Sequence, residues 1–184
     1  LIQNLTSLGI DLSESMWGTY INDQISTPNN GLVSVVSDSS KIYIVNNSDG
    51  SNPEIIYELD KPTENGSSRG IWQILEGKDG SLYFILEHQY YLNSTYWQID
   101  YSLEKISPNK SVQSTNLTSR TFPRDNSTVG ATGNYEYVLI PEQDGDIWLI
   151  KSERVNGNDG DSDEAHKAIG CLLYTSDAAD ESVC

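Results

Sequence analysis

The chain has 184 residues and a formal net charge of −16, with 27 acidic residues against 11 basic ones. A surface of that charge repels phosphate backbones, and no basic stripe interrupts the sequence, so the composition argues against a nucleic-acid-binding protein. No apolar run approaches the roughly 20 residues that a membrane-spanning helix needs, which excludes such a helix from this sequence.

The predicted elements are almost all β-strands. Apolar residues occur in short runs rich in Ile, Val, Tyr and Trp, and Gly, Asn, Asp, Ser and Pro separate the runs. A polar segment from Ser107 to Thr132 is predicted to be an inserted loop, and a short helix is predicted at Asp163 to Ile169. In chain order, the predicted strands are Trp17 to Ile21, Leu32 to Val36, Lys41 to Asn46, Glu54 to Leu59, Ile71 to Leu75, Ser81 to Glu87, Tyr96 to Ile99, Leu103 to Ile106, Tyr135 to Ile140 and Asp146 to Ser152.

One strand, turn and strand pattern occurs three times. The second strand of the pattern spans Lys41 to Val45 in the first copy, Ser81 to Ile85 in the second and Asp146 to Ile150 in the third. Each of these strands follows an Asp-containing turn. The first two copies are 40 residues apart, which matches one four-stranded blade of a β-propeller. The next interval is 65 residues, and the inserted loop accounts for the excess.

Two segments contain the Asp-Gly turns of the second and third copies, Trp72 to Phe84 and Glu142 to Leu149. Both resemble β-propeller repeats from extracellular sensor domains of bacterial hybrid two-component regulators. The resemblance implies an all-β fold, a partial β-propeller of about three to four antiparallel blades in an incomplete ring. Residues 1–170 would be the propeller fragment, with blade-like units at about 17–60, 70–107 and 133–155. It also implies an extracellular or periplasmic location and further blades in the same polypeptide.

The end of the sequence differs from the rest. Residues 171–181 resemble the conceptual translation of a transposon-end adapter used to prepare sequencing libraries. We therefore expect 171–184 to be a non-native tail, and the chain to be an internal fragment of a longer product. Both cysteines, Cys171 and Cys184, lie in this tail, so cysteine usage supports neither a disulfide nor a thiol site.

The predicted ligand-binding residues lie in one aromatic cluster after the second copy of the pattern. Aromatic rings flanked by amide and hydroxyl groups suit a sugar, because rings stack on pyranose faces while polar groups bind the hydroxyls. In the alternative interpretation, Tyr91 and Trp97 pack into the core between blades. The predicted site residues are His88, Tyr90, Tyr91, Tyr96 and Trp97.

Evidence for a metal or for catalysis is weak. Asp159, Asp161 and Asp163 are weak calcium candidates, but their spacing does not match an EF-hand loop, so a disordered acidic loop is favoured. Calcium is the one cofactor that the sequence suggests. Glu76 and Glu87 are a remote candidate for an acid/base pair, and no other catalytic pattern is present.

The sequence therefore predicts an extracellular β-propeller module that binds or senses a polar ligand such as a carbohydrate and is not itself catalytic. One alternative is a fragment of a propeller-fold glycoside hydrolase or polysaccharide lyase, whose catalytic residues lie partly outside this chain. A second alternative is a structural repeat of a surface protein.

Overall fold

The computed structural model describes residues 8–10, 20–47, 52–64, 66–123, 137–155 and 165–173. These residues form eleven β-strands in three antiparallel sheets and contain no helix, so the all-β prediction is confirmed. The described residues accordingly contain no helix long and apolar enough to cross a membrane.

Each sheet is a meander, because strands that follow one another in sequence are also hydrogen-bonded neighbours. Sheet A consists of β1 (Tyr20–Thr27), β2 (Gly31–Ser37), β3 (Lys41–Asn46) and β4 (Glu54–Asp60). Sheet B consists of β5 (Ser68–Glu76), β6 (Leu82–Tyr91), β7 (Tyr96–Ile106) and β8 (Val112–Pro123). Sheet C consists of β9 (Tyr137–Pro141), β10 (Ile147–Val155) and β11 (Ala165–Leu173).

The sheets stack face to face, with sheet B in the middle. Successive residues of a strand point to opposite faces, so the continuous apolar run of β6 fills two cores at once. We call the face of sheet B that contacts sheet A the front face, and the face that contacts sheet C the back face. The front core contains Val33, Val35, Ile42, Ile44, Ile71, Ile74, Leu82, Phe84 and Ile106. The back core contains Tyr83, Ile85, Ile99, Tyr101, Leu103, Tyr137, Leu139, Ile147 and Leu149.

The prediction that three hairpins are copies of one unit is wrong for the first hairpin. Ser81 to Ile85 and Asp146 to Ile150 fall on the second strands of their sheets, whereas Lys41 to Val45 lies on β3, the third strand of sheet A. By sheet position, the matching turn of sheet A is the one between β1 and β2. The Asp38 turn resembled the others because any tight hairpin between apolar strands favours the same short polar residues.

Glycine geometry marks the three turns that do correspond. Gly31, Gly80 and Gly145 have φ values of 68°, 75° and 88°. Gly80 and Gly145 lie in the turn between the first two strands of their sheets, and Gly31 is the first residue after such a turn. In the last two turns the glycine N–H donates to the carbonyl three residues earlier, at 3.0 Å in both. A left-handed residue in this position is the usual way to close such a hairpin, and glycine adopts it without steric cost.

Three further predictions need correction. Residues 112–123 form β8 rather than part of an inserted loop, and Tyr96–Ile106 is one strand rather than two. Residues 165–169 belong to strand β11, so the predicted helix at Asp163 to Ile169 is wrong where the structure describes it. The sequence does not predict β8 as a strand because residues 112–116 at its start are all exposed, so it lacks the apolar run of the inner strands. β11 also includes residues 171–173 of the predicted tail, while 174–184 lie outside the described residues.

Candidate functional site

All five predicted site residues lie on the hairpin formed by β6 and β7. Its last pair in register is Tyr91 opposite Trp97. The Asn93 side-chain oxygen closes the turn by accepting hydrogen bonds from the backbone N–H groups of Thr95, at 2.8 Å, and Tyr96, at 3.0 Å. A side-chain oxygen bonded to the backbone two residues later is a common way to fix a short turn.

The structure does not bring the five residues together. Alternation along unbroken strands puts His88, Tyr90 and Tyr96 on the front face, and puts Tyr91 and Trp97 on the back face. A ligand that contacts one group therefore cannot contact the other across the sheet.

On the front face, His88 and Tyr90 lie beside an oriented carboxylate, that of Asp100. The ring centroids of His88 and Tyr90 are 4.9 Å apart. The Tyr90 hydroxyl donates to Asp100 Oδ2 at 2.9 Å, and Gln98 Nε2 donates to Asp100 Oδ1 at 2.7 Å. Tyr96 lies at the end of this face and is 41% exposed. Rings and hydrogen-bonding groups are thus combined on one accessible surface.

Neighbouring groups shift the pKa values of Asp100 and His88 on the front face. Partial burial by itself raises the pKa of Asp100, but hydrogen bonds from Ser119, Gln98 and Tyr90 outweigh it and lower the pKa below its ordinary value. Partial burial and then the positive charge of Arg69 lower the pKa of His88, so its imidazole is neutral at pH 7. A neutral imidazole has one nitrogen that donates and one that accepts.

A row of polar residues that includes His88 and Asp100 crosses all four strands of sheet B. Arg69 on β5 is opposite His88, His88 is opposite Asp100, and Asp100 is opposite Ser119 on β8. Arg69 Nη1 also donates to the carbonyl oxygen of Asp60 at 3.0 Å, which ties the row to the end of β4. Sequence reasoning missed Arg69, Asp100 and Ser119, and also Gln98. Alternation counted from Tyr96 would have assigned Gln98 and Asp100 to the same face.

The back-face pair is engaged in local packing. The ring centroids of Tyr91 and Trp97 are 3.9 Å apart, and both side chains are partly buried. Tyr91 also covers Gly66, where an added Cβ would lie 1.8 Å from the Tyr91 ring. The core clusters of the described residues include neither ring, so the pair caps the hairpin rather than filling the core between sheets.

Three carboxylates meet at the turn between β9 and β10. Ligand oxygens of Glu142, Asp144 and Asp146 lie within 4.8 Å of one another. Lys78 Nζ lies 2.8 Å from Asp146 Oδ2 and 3.2 Å from Asp144 Oδ2, so a lysine ammonium already supplies positive charge there. The calcium candidates Asp159, Asp161 and Asp163 lie outside the described residues.

Glu76 and Glu87 do not form a pair. Glu76 lies opposite Leu82 at the start of β6, whereas Glu87 lies opposite Gly70. The Glu76 carboxylate instead holds the turn between β1 and β2, accepting hydrogen bonds from the side-chain amides of Asn29 at 2.8 Å and Asn30 at 2.6 Å. It thereby links sheets A and B.

A scan against protein-family models, a search of curated proteins and a search of solved structures each find no match.

Proposed function

We propose that the chain is part of an extracellular or periplasmic β-propeller that binds or senses a carbohydrate through the front face of the β6–β7 hairpin. One observation carries the proposal. His88, Tyr90 and Tyr96 share that face with the Asp100 carboxylate and the Gln98 amide. Rings stack on the apolar faces of a pyranose, while planar carboxylate and amide groups bind its hydroxyls.

Prior orientation of the polar groups favours binding. The carboxylate of Asp100 is fixed by Tyr90 and Gln98 before any ligand arrives. A carboxylate accepts about four hydrogen bonds, and Tyr90, Gln98 and Ser119 supply three, so capacity for one ligand hydroxyl remains. Fixing these side chains in advance reduces the conformational entropy that a ligand would otherwise have to offset.

The propeller part of the proposal is supported by a contact that recurs at both sheet interfaces. Asp23 Oδ2 of β1 accepts a hydrogen bond from the Ile74 N–H of β5 at 3.1 Å. Gln73 Oε1 of β5 accepts one from the Leu139 N–H of β9 at 2.9 Å. In both cases a side chain from the first strand of one sheet bonds the backbone of the first strand of the next. Repeated contacts of this kind are expected when blades succeed one another around an axis.

The ionisation of Asp100 disfavours one catalytic role, that of a general acid. A general acid needs a pKa raised toward the working pH, whereas hydrogen bonds lower that of Asp100. A carboxylate that is ionised at pH 7 suits the recognition of hydroxyl groups.

The test is to screen the whole chain against a glycan array and to measure the best hit by titration calorimetry. Tyr96→Ala removes a 41% exposed ring from the front face and is expected to weaken binding by roughly tenfold, the loss of one stacking contact. The matched control is Leu92→Ala, which truncates a 49% exposed side chain in the same hairpin and should leave affinity within twofold. Absence of any glycan hit, or equal effects of both substitutions, would refute the proposed site.

A further inference from the structure

Glu87 occupies an unusual position on the back face of sheet B. The two preceding back-face residues of β6, Tyr83 and Ile85, are buried in the core against sheet C. Glu87 continues this stripe as a partly buried carboxyl group, opposite Gly70 on one side and Tyr101 on the other. A carboxyl group at the end of an apolar stripe loses hydration, which costs free energy unless other groups compensate.

The compensating groups are neutral. Trp72 and Tyr101 form hydrogen bonds to the Glu87 side chain, while burial raises its pKa above the ordinary value. None of the ion pairs among the described residues involves Glu87. Within the part of the chain that the structure describes, the carboxylate is therefore held in place by an indole and a phenol and makes no ion pair with a lysine or arginine.

Trp72 presents a ring beside this carboxylate. It lies opposite Ile85, and hence on the back face, and its ring rests on Gly70, where an added Cβ would be 3.2 Å from Trp72 Nε1. With one side against the β5 backbone, the indole is still 37% exposed. The hydrogen bond to Glu87 and the contact with Gly70 together fix the orientation of an accessible aromatic surface.

We propose that Trp72 and Glu87 form a binding site for a compact organic cation, such as a primary or quaternary ammonium group. The face of an indole attracts a cation through its quadrupole, and tryptophan is the strongest of the aromatic side chains in this respect. The carboxylate supplies the opposite charge next to the ring. The net charge of −16 raises the concentration of cations near the surface and disfavours an anionic ligand. This site lies on the opposite face from the carbohydrate site and does not depend on it.

The test uses tetramethylammonium chloride as the probe and the whole ¹⁵N-labelled chain. The indole N–H signal of Trp72 is assigned by its loss in Trp72→Phe, which distinguishes it from the other three tryptophans. We expect a saturable shift of this signal with tetramethylammonium. Sodium chloride at the same ionic strength and the neutral isostere tert-butanol should give less than a tenth of that shift.

Glu87→Gln keeps the size of the side chain and removes its charge, and should weaken the binding of tetramethylammonium at least tenfold. The matched control is Glu104→Gln, which changes a buried carboxylate on the front face that accepts hydrogen bonds from Ser102 at 2.6 Å and Ser114 at 2.7 Å. This control should bind as the wild type does. Two results in the wild type would overturn the proposal whether or not the variants fold: an equal response to tert-butanol, or no saturable shift with tetramethylammonium. Unchanged affinity in a folded Glu87→Gln would also overturn it.

Discussion

Replacing Phe84 by alanine is expected to lower the free energy of unfolding by about 4 kcal/mol, within the usual range for truncating a buried phenylalanine. Phe84 is fully buried on the front face of β6, in the core that joins sheets A and B. Its ring meets Tyr57 of β4 edge to face, with centroids 5.4 Å apart. Truncation leaves a cavity between the two sheets. Neither sheet can close it without disturbing its own strand-to-strand hydrogen bonds, so relaxation recovers little of the lost free energy of unfolding.

Urea denaturation followed by fluorescence measures this effect. Val112→Ala is the control, because Val112 is 47% exposed on the edge strand β8 and its truncation should change stability by less than about 0.5 kcal/mol. Similar effects of the two substitutions would contradict the packing of sheet A on the front face of sheet B.

Replacing Asp38 by alanine is expected to lower the free energy of unfolding by about 3 kcal/mol, because several donors lose one shared acceptor. Asp38 is buried in the turn between β2 and β3. Its Oδ1 accepts hydrogen bonds from the backbone N–H groups of Ser40 at 2.8 Å and Lys41 at 2.7 Å, and its Oδ2 accepts one from the Tyr43 hydroxyl at 2.9 Å. The substitution would leave the buried Tyr43 hydroxyl without this acceptor.

The Asp38 effect should depend on pH. Burial alone would raise the pKa of Asp38, but the hydrogen bonds from Ser40, Lys41 and Tyr43 lower it overall. A carboxylate with a lowered folded-state pKa contributes stability above its unfolded pKa of about 3.9, and this contribution is lost as pH falls through the folded value. The stability difference between wild type and Asp38→Ala should therefore be full at pH 6 and shrink below about pH 4. A difference that does not change down to pH 2.5 would show that the ionised carboxylate is not the stabilising group.

Much of the fold could be predicted because β-strands leave a local signal. Runs such as Leu82 to Ile85 are apolar at every position, which is typical of a strand buried on both faces. β8 carries no such signal because residues 112–116 at its start are all exposed, and the polar sequence there predicts a loop. Local sequence could not show which hairpins correspond between sheets. That depends on the position of β3 in sheet A, which is known only from the pairing of β3 with β2 and β4.

The five predicted site residues all lie on one hairpin, but the sequence analysis did not divide them between its two faces. Tyr90 and Tyr91 are adjacent, and adjacent residues of a strand must point to opposite faces. Once β6 is known to continue past Glu87, that rule assigns Tyr90 and Tyr91 to opposite faces. The partners of Tyr90 were not predictable in the same way, because Asp100 reaches it only through the register of β6 with β7.

These two tyrosines also provide the most direct test of the central claim, that the front face of the hairpin binds the ligand. Tyr90→Phe and Tyr91→Phe make the same change at neighbouring positions on opposite faces, and each is titrated with the best glycan from the array. Tyr90→Phe removes the hydroxyl that orients Asp100 and should weaken binding about fivefold, the equivalent of roughly 1 kcal/mol, while Tyr91→Phe should remain within twofold of the wild type. Loss of affinity in Tyr91→Phe with wild-type affinity in Tyr90→Phe would contradict the claim and assign the site to the back face.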